Sequence, residues 1–142
     1  FVAPSVFTGN LQSMYDGSLE FMLRIAQSSG VERDYHGFIQ MKGGDGTVLN
    51  YKMPRFQTLD KHAWSAYVVV LREDFGWTTE IDGAPVSTRE MIRVMGNVTE
   101  LLVRGDTNVC GGGGDGGDDD GDGREVVYLQ NVTMRLPKRM GE

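Results

Sequence analysis

Residues 19–25 read Leu-Glu-Phe-Met-Leu-Arg-Ile, and that order constrains the fold more than any other stretch. Leu19, Phe21, Leu23 and Ile25 fall on one side of an extended backbone, and Glu20 and Arg24 on the other. A period of two held over seven residues marks a strand with one dry face and one wet face.

Similar segments recur along the chain. Residues 37–42 and 47–52 read as two strands joined by Gly43-Gly44-Asp45-Gly46, a run that supplies the positive φ angles a hairpin turn needs. Residues 64–72 are apolar on both faces, with Trp64, Ala66, Val68 and Val70 against Tyr67, Val69 and Leu71, and are expected to form a central strand. Strands follow at 98–104 and 125–136. In the last, Val126, Tyr128, Val132, Met134 and Leu136 share one parity, interrupted by Gln130; Asn131, Thr133 and Arg135 share the other, and Pro137 ends the strand.

One helix is expected. Ser87-Thr88-Arg89-Glu90 has the form of a capping box, with the Ser87 hydroxyl and Glu90 carboxylate meeting free backbone N–H groups. Met91, Ile92, Val94 and Met95 supply a short apolar face, and Gly96 is placed to end the helix in a left-handed conformation. The pattern predicts an all-β chain: an antiparallel β-sandwich of jelly-roll type with one short helix, with a core around Phe21, Leu23, Val68, Val70 and Met134. Residues 1–142 are expected to form a single domain, with a Gly/Asp-rich loop at 110–123.

Charge narrows the partners. The net charge is −6, yet Asp115, Asp118, Asp119, Asp120 and Asp122 all lie in that one loop, and without them 15 acidic residues face 14 basic ones. The basic residues are scattered, so no stripe suits nucleic acid. No apolar run reaches the roughly 18 residues of a spanning helix, so no membrane insertion is expected. Cys110 is the single cysteine, which precludes a disulfide within the chain. An opening on Phe1, with no leader pattern, reads as an excerpt of a longer protein.

The ordered motifs resemble the laminin IV type A domain. They are Phe1-Val2-Ala3-Pro4, then Phe7-x-Gly9-Asn10, then Tyr15-Asp16-Gly17-Ser18-Leu19-Glu20-Phe21. Trp64, Val68-Val69-Val70-Leu71, Gly76-Trp77, Asn97-Val98-Thr99, Leu101-Leu102-Val103-Arg104 and Tyr128-Leu129-x-Asn131-Val132 continue the order. The resemblance implies an extracellular sandwich similar to galactose-binding domains. It implies a non-catalytic structural or interaction module of a larger secreted or cell-surface protein, with no catalytic residues and no cofactor. Its partners would be flanking domains of the same chain and other extracellular proteins. The 110–123 loop departs from that family's usual shorter link.

Several motifs carry rival readings. Asn97-Val98-Thr99 and Asn131-Val132-Thr133 are N-glycosylation acceptors in a secreted chain, with a structural hydrogen-bonding Asn as the alternative at 131. Asp118, Asp120, Asp122 and Gly123 match positions 1, 3, 5 and 6 of an EF-hand loop. Position 12, however, falls on Leu129 instead of Glu, and a strand follows instead of a helix. These aspartates are weak calcium candidates, and a solvated loop is the preferred reading. Arg104-Gly105-Asp106 is a three-residue adhesion motif that chance supplies often. His36 and His62 lack zinc-site spacing, and Asp60-x-His62 is no triad signature, so an enzyme is not expected. Exposed aromatics carry the second functional reading, a carbohydrate-binding module. Trp77 is the candidate sugar contact, while Trp64 is assigned to the core.

Overall fold

The computed structural model describes residues 1–27, 38–53, 63–79, 83–104 and 126–138. The alternating segment forms β1 (Ser18–Gln27), with Leu19, Phe21 and Leu23 all at or below 2% exposure. β2 (Phe38–Gly43) and β3 (Val48–Lys52) make the expected hairpin. Its turn closes through Gly43 N–H to the Thr47 carbonyl at 2.8 Å, with Gly46 at φ 85°. That angle lies where a Cβ is strained, which is why glycine stands there.

β4 (Ser65–Val70), β5 (Trp77–Thr79), α1 (Thr88–Met95), β6 (Val98–Arg104) and β7 (Val126–Arg135) complete the order. β4, β1 and β7 form one antiparallel sheet; β5, β3, β2 and β6 form a second, also antiparallel. Leu19, Phe21, Leu23 and Val69 from the first sheet meet Ile39, Met41, Leu49, Trp77, Leu101 and Val103 from the second in one buried cluster. This is the β-sandwich expected from the sequence.

α1 carries the chain from β5 to β6, the outer strands of the second sheet. Its capping box is complete: Glu90 N–H donates to Ser87 Oγ at 3.2 Å, and Ser87 N–H to Glu90 Oε2 at 3.0 Å. Met91, Val94 and Met95 are buried, whereas Ile92 is 37% exposed and lies off the packed face. Gly96 is not left-handed but right-handed, at φ −67° and ψ −21°. Space explains the glycine: a Cβ there would stand 2.9 Å from Nε2 of Gln12, which donates to the Ile92 carbonyl at 3.3 Å.

The opening residues close an edge. Phe1 and Val103 exchange two 3.0 Å hydrogen bonds, Ala3 N–H donates to the Leu101 carbonyl, and Gly9 and Val98 bond reciprocally. Residues 1–9 thus run along the outer side of β6, covering backbone groups that would otherwise invite a second chain.

β4 departs from expectation twice. It is an outer strand among the described residues, not a central one, and its inward side is Tyr67, Val69 and Leu71. Val68 is 62% exposed and Trp64 lies outside the buried core. Both parities of this segment are apolar, so periodicity cannot choose between them. A contact from the neighbouring strand decides: Tyr67 stacks on Phe21, with centroids 5.5 Å apart and planes 17° apart. Burial raises the Tyr67 phenol to about 12.

β7 contains a bulge. Glu20 pairs with Thr133 and Met22 with Gln130, so two residue steps on β1 face three on β7. Asn131 absorbs the extra residue at φ 56°. Parity therefore changes within the strand: Leu129 packs on the core before the bulge, and Val132 and Met134 after it. Tyr128, expected to share a face with Val132 and Met134, points outward and is 45% exposed.

Candidate interaction surface

The outer face of the β4–β1–β7 sheet is built from the residues between its core positions. β1 supplies Glu20, Met22 and Arg24; β4 supplies Ala66 and Val68; β7 supplies Tyr128, Gln130, Asn131, Thr133 and Arg135. Arg24 links the flanking chains. Its guanidinium carbon lies 4.7 Å from the Tyr128 ring centroid and 5.3 Å from that of Trp64, within cation–π range of both. Among the described residues Arg24 Nε is buried without a hydrogen-bond partner, and the two rings are the contacts that hold the guanidinium. Toward the other end, Arg135 Nε meets Glu20 Oε2 at 2.7 Å, and Ser18 Oγ donates to Glu20 Oε1 at 3.1 Å. Arg135 is well exposed, so this pair orients side chains more than it stabilises the fold.

A polar cluster occupies the corner where β4 leaves its sheet. Glu73 accepts from Tyr15 Oη at 2.8 Å and from Thr88 Oγ1 at 2.5 Å, joining the opening segment to the first turn of α1. Arg72 pairs with Asp74 at 2.6 Å and Asp16 at 2.9 Å, and lies 4.7 Å from the Phe75 ring. The Thr88 hydrogen bond holds the Glu73 carboxyl below its ordinary 4.5. Arg72 does the same for Asp74 relative to 3.8, and the Thr47 backbone N–H for Asp45. Burial, then the Glu73 hydrogen bond, pushes the Tyr15 phenol up from 10.0. Lowered carboxyl values mean that the charged forms are favoured by folding. Their stabilisation is complete above the ordinary values and is lost as pH falls through the lowered ones. The melting temperature should therefore drop below about pH 4.5, and Glu73→Gln should show a smaller drop. Melting curves between pH 3 and pH 7 would check this, and an identical drop in the variant would refute the role of Glu73.

An open cleft of about 630 Å³ lies at one end of the sandwich, between Gly17 and Ser18 on one side and Met134, Arg135 and Pro137 on the other. Its carboxylates, Asp16 and Glu20, are both ion-paired. Among the described residues no group of three or more His, Cys, Asp or Glu is placed to hold a metal. No helix among them is long and apolar enough to cross a membrane.

Trp77 is not a sugar contact. It is 1% exposed, packs 5.5 Å from Tyr51 and donates Nε1–H to the Val70 carbonyl at 2.9 Å. A ring enclosed between two sheets offers no face to a pyranose. On the outer face of the β4–β1–β7 sheet the exposed ring is Tyr128, with Trp64 half-buried on the other side of Arg24. Asn97 is exposed after α1, and its carboxamide lies against Gly44, where an added Cβ would collide with Nδ2. Asn131 is exposed on the outer sheet face, with Nδ2 3.7 Å from Met22 Sδ. Asp118, Asp120 and Asp122 lie outside the described residues, as do Gly105, Asp106, His36, His62, Asp60 and Cys110.

The profile of laminin B (domain IV) matches residues 1–110. The chain belongs to the laminin B (domain IV) family. The fold agrees. The L4b domain of human laminin alpha-2 superposes with a TM-score of 0.69 over 97% of this chain and 69% of that one, at 12% identity. Comparison with curated protein sequences returns no match. The laminin B profile covers the covering arm at 1–9, the core strands β1 to β6 and the capped helix. β7, with Tyr128 and Asn131, lies beyond the matched residues and within the span of the structural likeness.

Proposed function

We propose that this chain is a non-catalytic, extracellular structural and interaction module of a larger secreted or cell-surface protein. The observation carrying this reading is the laminin B match over residues 1–110. The architecture supports it: the large side chains fill the space between two sheets, and the clustered carboxylates at Asp16, Glu73 and Asp74 are engaged in holding turns together. Its working parts are then outward faces that meet flanking domains and other extracellular proteins. Asn97 and Asn131 are its N-glycan acceptors.

Expression behind a secretory leader in cultured animal cells tests this. The expected result is a cooperatively folding domain in the medium, carrying N-linked sugar by mass spectrometry. A domain that folds in the bacterial cytosol yet is retained and sugar-free on the secretory route would overturn the reading. The exposure of Tyr128 favours one second reading, a carbohydrate-binding module. Saturable binding on a glycan array, lost in Tyr128→Ala, would select it; silence on the array would leave the scaffold.

A further inference from the structure

The bulge in β7 places three chemically related groups side by side. In an unbroken strand Asn131 and Thr133 would share one face and Tyr128 would take the other. With Asn131 at φ 56° and one extra residue accommodated, all three are exposed. Tyr128 lies opposite Arg24, whose guanidinium it contacts; Asn131 lies beside Met22; Thr133 lies opposite Glu20. Arg24, Met22 and Glu20 are successive outward positions of β1 at roughly 7 Å intervals; Tyr128 and Thr133 pair with the outer two, and Gln130, the register partner of Met22, shares the middle place with the bulged Asn131. That interval is about the length of one pyranose ring.

The chemistry at each position suits a sugar attached at the middle one. Asn131, Val132 and Thr133 form the acceptor motif. Among the described residues the Asn131 carboxamide makes only a 3.7 Å contact to a thioether, a weak acceptor, so attachment there sacrifices little. Tyr128 presents an exposed ring held from one side by Arg24, and the C–H face of a pyranose packs on such a ring. Thr133 presents a hydroxyl within reach of an acetamido group. Glu20 and Arg135 neutralise each other at the Thr133 end of the patch, and the Arg24 cation at the other end is spent on the Tyr128 and Trp64 rings.

We propose that an N-linked glycan at Asn131 docks its first N-acetylglucosamine on the Tyr128–Met22–Thr133 surface and braces β7 against β1. The glycan is then a structural part of the sheet's outer face. The inference rests on the reading of Asn131 as an acceptor, and the experiment separates the two. Wild type, Tyr128→Ala, Tyr128→Leu and Thr133→Ala are each prepared twice. One sample is secreted and trimmed enzymatically to a single N-acetylglucosamine per site; the other comes from bacteria without sugar. The sugar-dependent change in melting temperature is read for each pair, which cancels the effect of the substitution itself.

The expected result is a rise of about 3 °C in wild type, reduced to the Thr133→Ala value in both Tyr128 variants. Thr133→Ala reports what sugar at Asn97 contributes. An equal rise in Tyr128→Ala and wild type, or no rise with Asn131 fully occupied, would overturn the docking and leave the acceptor reading intact. A secreted, folded protein with Asn131 bare by mass spectrometry would overturn both.

Discussion

Trp77→Ala should cost about 3–5 kcal/mol and lower the melting temperature by roughly 10 °C, without touching any sugar-binding property. The ring is 1% exposed and belongs to the short outer strand β5, yet its Nε1–H reaches the Val70 carbonyl on the opposite sheet at 2.9 Å. It thus serves as filler and as a cross-sheet tie. Removal leaves a cavity beside Tyr51, whose ring is 5.5 Å away, and leaves the Val70 carbonyl without that donor. Trp77→Phe separates the two parts. It keeps an aromatic ring, losing the tie and only part of the filling volume, so its cost should be nearer about 1–3 kcal/mol. Denaturant titration of both variants would check the order. A Trp77→Ala loss below about 1 kcal/mol would mean that the ring is not enclosed, and the sugar-contact reading would revive.

The strands that reasoning from sequence located well were those with a single apolar parity. β1 alternates cleanly, and its dry side is the buried side. The capping box at Ser87 and Glu90 is a local device, satisfied within one turn, and needs no knowledge of the rest of the fold. The failures lie where the deciding contact is distant. Trp64 to Leu71 offers apolar residues on both faces, and only the stacking of Tyr67 on Phe21, from another strand, selects the inward set. Trp77 follows a glycine in a short polar stretch and reads as exposed; its burial depends on Tyr51 and Val70. The arm at residues 1–9 carries no period at all, because its hydrogen bonds run to β6, about a hundred residues away.

The outer-face site was hidden for a related reason. A period of two sets Tyr128 and Asn131 on opposite faces, and one residue taken up by the bulge sets them on the same face. The trace of this in the sequence was the interruption at Gln130, where apolar parity fails and then resumes. A break of that kind inside an otherwise regular strand is a signal for an extra residue. Where the side chain next to the break is an acceptor asparagine, the bulge also settles which surface the modification would occupy.

Gly17→Ala should be the most damaging of the glycine replacements, at about 2–3 kcal/mol and roughly 5–10 °C. A Cβ on Gly17 would stand 2.2 Å from the Arg135 carbonyl oxygen and 2.9 Å from that of Met14. Both obstacles are backbone, so no rotamer change relieves them. Gly17 also donates to the Met14 carbonyl at 2.8 Å and accepts from Leu71 N–H at 2.9 Å, so it is tied on both sides. Relief must come from parting β1 and β7 at their first pair, Ser18 and Arg135. Gly46→Ala is the matched control: its φ is 85°, but nothing lies within 4 Å of the added carbon. It should cost about 1 kcal/mol through backbone strain alone. If the two variants unfold at the same temperature, crowding is not what selects glycine at position 17. If Gly17→Ala is the worse, the damage should extend along β7, because moving Arg135 breaks its 2.7 Å contact with Glu20. Thr133 lies directly opposite Glu20, so the surface proposed to hold the Asn131 sugar would loosen with it. The glycine in the Tyr-Asp-Gly-Ser-Leu-Glu-Phe segment thus connects a steric demand at the start of β1 to the outward face of this sheet.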